Sequence, residues 1–145
     1  MKNENQLQYL NALNKINGVG PQKMRKLLAF FPSPEEAWKA GLSDLAQSGI
    51  GESLSAKIFS QRKDIEPEEE WSKMAKENIR MLSETDEEYP RLLREIPSSP
   101  YLIYMKGGTD LNAPMISIVG SRKFTDYGSQ AAYALAKDLA SAASR

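Results

Sequence analysis

The residues best equipped for chemistry are Gly120, Ser121, Arg122, Lys123, Thr125 and Gly128, directly after the apolar run Ile116-Ser117-Ile118-Val119. A glycine at 120 lets a strand bend sharply and a ligand approach the backbone. Ser121 and Thr125 supply hydroxyl donors. Arg122 supplies a planar, permanently charged fork matched to phosphate oxygens, with Lys123 adding charge nearby. Gly128 lets the following helix pack closely on the strand. The order reads as a buried parallel strand, a phosphate-facing turn and a helix N-terminus. It is neither the dinucleotide fingerprint nor the P-loop: a single glycine stands before Ser121, and no Gly-Lys-Ser/Thr follows. The alternative for Arg122 is a surface arginine paired with Asp126.

Such a turn needs a sheet behind it. Tyr101-Leu102-Ile103-Tyr104-Met105 is aromatic and apolar and ends at Gly107-Gly108, so it reads as a strand. Pro67 to Leu82 reads as a helical pattern, and its end, Ile79-Arg80-Met81-Leu82, alternates and could instead be a short strand. Strands at 79–83, 101–106 and 115–120 would then share one sheet. Trp71, Met74, Ala75 and Ile79 form one face of the preceding helical pattern. The chain ends at Arg145, where the helix after Gly128 would hand over to another strand. The expectation is therefore the front part of a larger protein.

The first part of the chain is helical in pattern. Leu7, Leu10 and Leu13 recur at helical spacing over 4–16, and Met24, Leu27, Leu28 and Phe31 make a second apolar face. Ser33-Pro34-Glu35-Glu36 has the form of a capping box with proline in the first turn. Two breaks, Gly18-Val19-Gly20 and Gly49-Ile50-Gly51, lie 31 residues apart and suggest a repeated helix-hairpin-helix unit. Glycine turns of this kind present bare N–H groups at a helix start, where a phosphate can sit. Gly18, Gly20 and Lys23 are the candidate DNA contacts of the first hairpin, with Arg25 and Lys26 following. The other reading is that both turns only close helix pairs, with Val19 and Ile50 plugging the core. Glu52 and the scarcity of cations favour that second reading at the second turn.

Composition sets limits. With 145 residues, 41% hydrophobic and 26% charged, the chain is globular in character and long enough for two small domains. It contains no histidine and no cysteine, which excludes disulfides, a thiol nucleophile, an imidazole base and the usual zinc sites. No catalytic residue, cofactor or metal is assigned. No apolar run approaches a membrane span, and Met1-Lys2-Asn3-Glu4-Asn5 has no signal-peptide core, so a cytoplasmic, non-membrane protein is expected. The net charge is zero, which argues against a nucleic-acid binder until its distribution is seen. Residues 1–31 carry +4, residues 64–100 carry −6 and residues 101–145 carry +2. The two terminal, glycine-turn segments are thus positive. The acidic Asp64–Glu70 stretch reads as a solvated helix start.

Tyr89-Pro90 with Leu93 and Ile96, then Pro100, Leu102 and Gly107, then Ile118-Val119-Gly120-Ser121-Arg122 with Thr125, Tyr127 and Gly128, resembles the DNA-processing protein A (DprA/Smf) family. The resemblance implies an α/β fold overall. A small all-α helix-hairpin-helix or sterile-alpha-motif-like domain at 1–66 would precede the first part of a Rossmann-like parallel α/β domain at 67–145. It implies a single-stranded DNA-binding recombination mediator that loads the RecA recombinase in natural transformation, has no catalytic reaction, and forms a homodimer at full length. The family's DNA pocket carries over to Gly120, Ser121, Arg122 and Thr125. The competing enzyme reading is a lysine-decarboxylase-like nucleotide phosphoribohydrolase, disfavoured by the N-terminal hairpins and Tyr89-Pro90. A purely structural interaction module built on 1–64 is the third class.

Overall fold

Leucines three apart at 7, 10 and 13 give α1, Glu4–Lys15, one apolar stripe, and Leu10 and Leu13 are fully buried on it. The computed structural model describes residues 4–108 and 110–143. Gly18 ends the first turn with φ of 104°, a conformation that costs a side-chain-bearing residue about 1–2 kcal/mol. A Cβ there would also meet Leu54 Cδ1 at 3.2 Å. Gly20 caps α2, Pro21–Phe30, with Pro21 in the first turn, where its missing N–H has no helical partner to lose.

Helix α3, Pro34–Lys39, starts on the expected capping box: Glu36 N donates to Ser33 Oγ at 3.1 Å, and the Ser33 hydroxyl donates to Glu36 Oε1 at 3.4 Å. The short α4, Leu42–Leu45, runs into a π turn at Ala46–Ile50. Gly49 (φ 77°) and Gly51 (φ 97°) then break the chain before α5, Glu52–Gln61. A 3-10 turn follows at Arg62–Asp64, and α6 spans Pro67–Lys76. Asn78, at φ of 54°, separates α6 from β1, Ile79–Ser83. After the short α7, Arg91–Arg94, β2 spans Leu102–Lys106. Helix α8, Asp126–Ala143, is the last described element.

Residues 1–112 make one compact unit and residues 113–145 another. In the first, α1 lies against α3 and α6, and α2 lies against the π turn. Leu10, Leu13, Met24, Leu27, Trp38, Leu45 and Ile58 form the buried centre, with Leu28, Leu54, Trp71 and Met74 half-buried around it. Both expected apolar faces of the first two helices, Leu7-Leu10-Leu13 and Met24-Leu27-Leu28-Phe31, lie in or against that cluster, whereas Ala75 of the expected later face is exposed. Met81 and Leu102, from the two strands, belong to the same cluster.

The sheet differs from the expected one. It has two strands, β1 and β2, paired antiparallel with Met81 opposite Tyr104 and Ser83 opposite Leu102. Residues 115–120 form no strand, so the parallel, three-stranded arrangement is not formed among the described residues. The physical reason lies in their apolarity on both faces: such a strand needs paired and covered neighbours, and none of the described strands pairs with it. Val119 is left 91% exposed. In the second unit this extended segment and α8 flank a cleft of about 480 Å³ between Met115, Ile116, Ile118 and Leu139.

Candidate functional site

The segment 120–125 leads directly into α8, and Thr125 supplies its cap. Gly128 N donates to Thr125 Oγ1 at 3.1 Å, and Ser129 N donates to Thr125 O at 3.0 Å. Thr125 Oγ1 thus accepts one bond from the helix start and retains its hydroxyl proton as a donor. Ser121 Oγ accepts from Lys123 N at 3.3 Å, folding the turn on itself. A cleft of about 640 Å³ opens beside the turn, lined by Gly120, Ser121, Lys123, Thr125 and Gly128, with Ile118, Val119, Phe124 and Leu135 among its apolar walls.

Five of the six expected turn residues therefore share one cleft, and Arg122 does not line it. Arg122 and Lys123 are both exposed, and neither forms an ion pair among the described residues. The alternative pairing of Arg122 with Asp126 is not made. Gly120 does not occupy a positive φ, and a Cβ there would meet nothing within 4 Å. Its contribution is open backbone, not a forced bend. At Gly128 a Cβ would meet Thr125 Oγ1 at 3.5 Å, an ordinary contact, so close helix packing does not require this glycine here.

The first glycine turn is built differently. Gly18, Gly20, Pro21, Gln22, Lys23 and Ser98 border a cleft of about 330 Å³. Lys23 Nζ donates to Ile50 O at 2.7 Å, and Lys26 Nζ donates to Gly49 O at 3.1 Å. The ammonium groups of the first turn thus cap carbonyls of the second. Arg25 is committed as well, to Glu84 at 3.0 Å and to Ser99 Oγ at 2.8 Å. The cations that follow Gly20 fasten elements of the first unit, whereas those that follow Gly120 face solvent.

Two residues of the 120–128 turn were given no role from the sequence. Phe124 and Tyr127 are largely exposed and follow the two cations, a combination suited to stacking on bases. The signal was present in Arg122-Lys123-Phe124-Thr125-Asp126-Tyr127, where two basic residues are followed by two aromatics. Among the described residues no helix is long and apolar enough to cross a membrane.

Comparison with known proteins bears on the same segment. The model of a family described as DNA recombination-mediator protein A matches residues 80–144. Protein Smf of Synechocystis sp. is 36% identical over 136 residues, which is 90% of this chain and 34% of that protein. The chain therefore spans about a third of the length of that curated relative. No solved structure matches.

Proposed function

Because the chain belongs to the DprA/Smf family of DNA recombination mediators, we propose that it binds single-stranded DNA through the 120–128 turn and serves a protein that mediates recombination. One observation carries this: two exposed cations, Arg122 and Lys123, which form no ion pair among the described residues, directly precede exposed Phe124 and Tyr127 at the start of an 18-residue helix. Backbone N–H groups and the helix dipole favour a phosphate there. The arginine fork adds a charged bidentate contact, and the aromatic rings accept bases of any sequence. Ser121, Thr125 and the open backbone of Gly120 complete the set of donors.

The finer description belongs to the same proposal. Residues 1–66 are read as a helix-hairpin-helix or sterile-alpha-motif-like domain, and residues 67–145 as the first part of a Rossmann-like domain. The RecA recombinase is the protein partner, the whole protein is a cytoplasmic homodimer active in DNA uptake, and no chemical step is assigned to it. Gly18, Gly20 and Lys23 form a secondary DNA contact at most, since Lys23 is already engaged with Ile50.

Titration of the ¹⁵N-labelled chain with oligothymidylate tests the assignment. The proposal expects the largest amide shifts at 120–129. Shifts confined to residues 17–26, or none on saturation, would remove it.

A further inference from the structure

Residues 84–101 separate β1 from β2, well beyond the roughly two to five residues that join most hairpins. The two ends of this loop meet through Glu84 N, which donates to Tyr101 O at 2.9 Å. In the first half of the loop Tyr89 is 1% exposed, and its hydroxyl donates to Pro100 O at 2.5 Å. The outer limb is held differently. Leu92 is 71% exposed and Ile96 45%, so apolar burial does not press this limb onto the core. Its tethers are polar: Arg94 Nη2 to Asp86 O at 2.8 Å, and Arg91 N to Asn112 Oδ1 at 2.8 Å.

A single side chain from the helical layer reaches both ends of this loop. Arg25 Nε donates to both Glu84 carboxylate oxygens at 3.0 Å, and Nη2 donates to Glu84 Oε2 at 2.5 Å. The same Nη2 donates to Ser99 O at 2.9 Å and Ser99 Oγ at 2.8 Å. Ser99 is buried, and the Arg25 and Glu84 side chains are 32% and 19% exposed. Charged forks of this kind are among the stronger hydrogen bonds, and partial burial limits screening by salt. A long loop with an unburied outer limb is the kind of segment that opens locally while the rest stays folded.

We propose that Arg25 is the fastener of a strap: the 84–100 loop is held shut from α2, and it opens as a local unit when Arg25 loses Glu84 and Ser99. The helical layer thereby governs access to the ground beneath the Tyr89-Pro90 segment, including the buried Tyr89 ring. Arg25 acts here as a positioning residue for the loop and touches no ligand itself.

Hydrogen exchange on the whole chain tests this with Arg25→Gln, Arg25→Lys and Glu84→Gln. Both Gln variants should speed exchange of the Tyr89, Arg94 and Ser99 amides at least tenfold while leaving those of α1 at the wild-type rate. Arg25→Lys keeps the charge and loses the fork, so it should fall between. Unchanged loop exchange in either Gln variant, or acceleration shared equally by α1, overturns the proposal. If Arg25→Gln fails to fold, the near-isosteric Glu84→Gln decides alone.

Discussion

The Tyr104 hydroxyl donates to Asn11 Oδ1 at 3.0 Å, a bond that spans 93 positions of sequence and ties β2 to α1. Asn14 Nδ2 donates to the same hydroxyl at 3.0 Å, so the phenol relays between two amides of one helix. Asn11 is only 4% exposed and has little water to turn to. Tyr104→Phe should therefore destabilise the chain by about 1–3 kcal/mol, the usual cost of stranding a buried polar group. Urea unfolding of the two proteins measures it, and a loss below a few tenths would show that Asn11 finds another partner.

Alkaline pH should act through the same region. Burial, the main cause in each case, pushes the Tyr89, Tyr101 and Tyr104 phenols above their ordinary value, with Glu84 adding to the rise at Tyr89 and Tyr101. Above a pH of about 10 the unfolded chain releases phenol protons that the folded chain keeps. The unfolded state then holds fewer protons, so stability falls as pH rises. Melting temperature should decline between pH 9 and pH 11, and less steeply in Tyr104→Phe. Equal slopes in the two proteins would contradict this.

Two glycines should respond oppositely to alanine. Gly18→Ala meets both a positive φ and Leu54 Cδ1 at 3.2 Å, and should cost at least about 1–2 kcal/mol. Gly128 lies in the first turn of α8 with room for a Cβ, so Gly128→Ala should stabilise that helix by roughly 0.5–1 kcal/mol. Thermal melts followed by circular dichroism separate the two. Destabilisation by Gly128→Ala would mean that the helix start is held against something that a methyl group displaces.

The second unit should be the softer one. Residues 116–119 lie in no strand, and Tyr133, Leu135 and Leu139 on α8 are exposed. Their amides should exchange faster than those of 22–30, and the chain should self-associate as concentration rises through these apolar surfaces. Slow exchange at 116–119 in a monomer would contradict the unpaired state.

Local signals were legible in the sequence, and long-range ones were not. The capping box at Ser33, the glycine breaks at 18 and 49–51 and the apolar stripe Leu10-Leu13 are written within a few residues of one another, and each forms as its spacing predicts. Strands 79–83 and 102–106 were also readable, but not their antiparallel partnership, because strand pairing depends on chain reversal through a long loop. The segment at 116–119 has the composition of a buried strand, yet composition cannot supply the neighbours such a strand requires. Arg25 looked like a DNA-facing cation beside Lys23. Its fork goes instead to Glu84, 59 positions away, a pairing that no local pattern encodes. The turn at 120–128 was legible because its residues are contiguous, whereas the exposure of Phe124 and Tyr127 emerged only from the fold.

The most direct measurement is affinity for labelled oligothymidylate as a function of salt, in wild type and in Arg122→Ala. A lost charged contact should weaken binding by about 1–3 kcal/mol at low salt. It should also flatten the dependence of log K on log salt by about 0.7, the share of one phosphate contact to a single strand. Equal affinity and an equal salt slope in the two proteins would contradict a DNA-binding role for the turn.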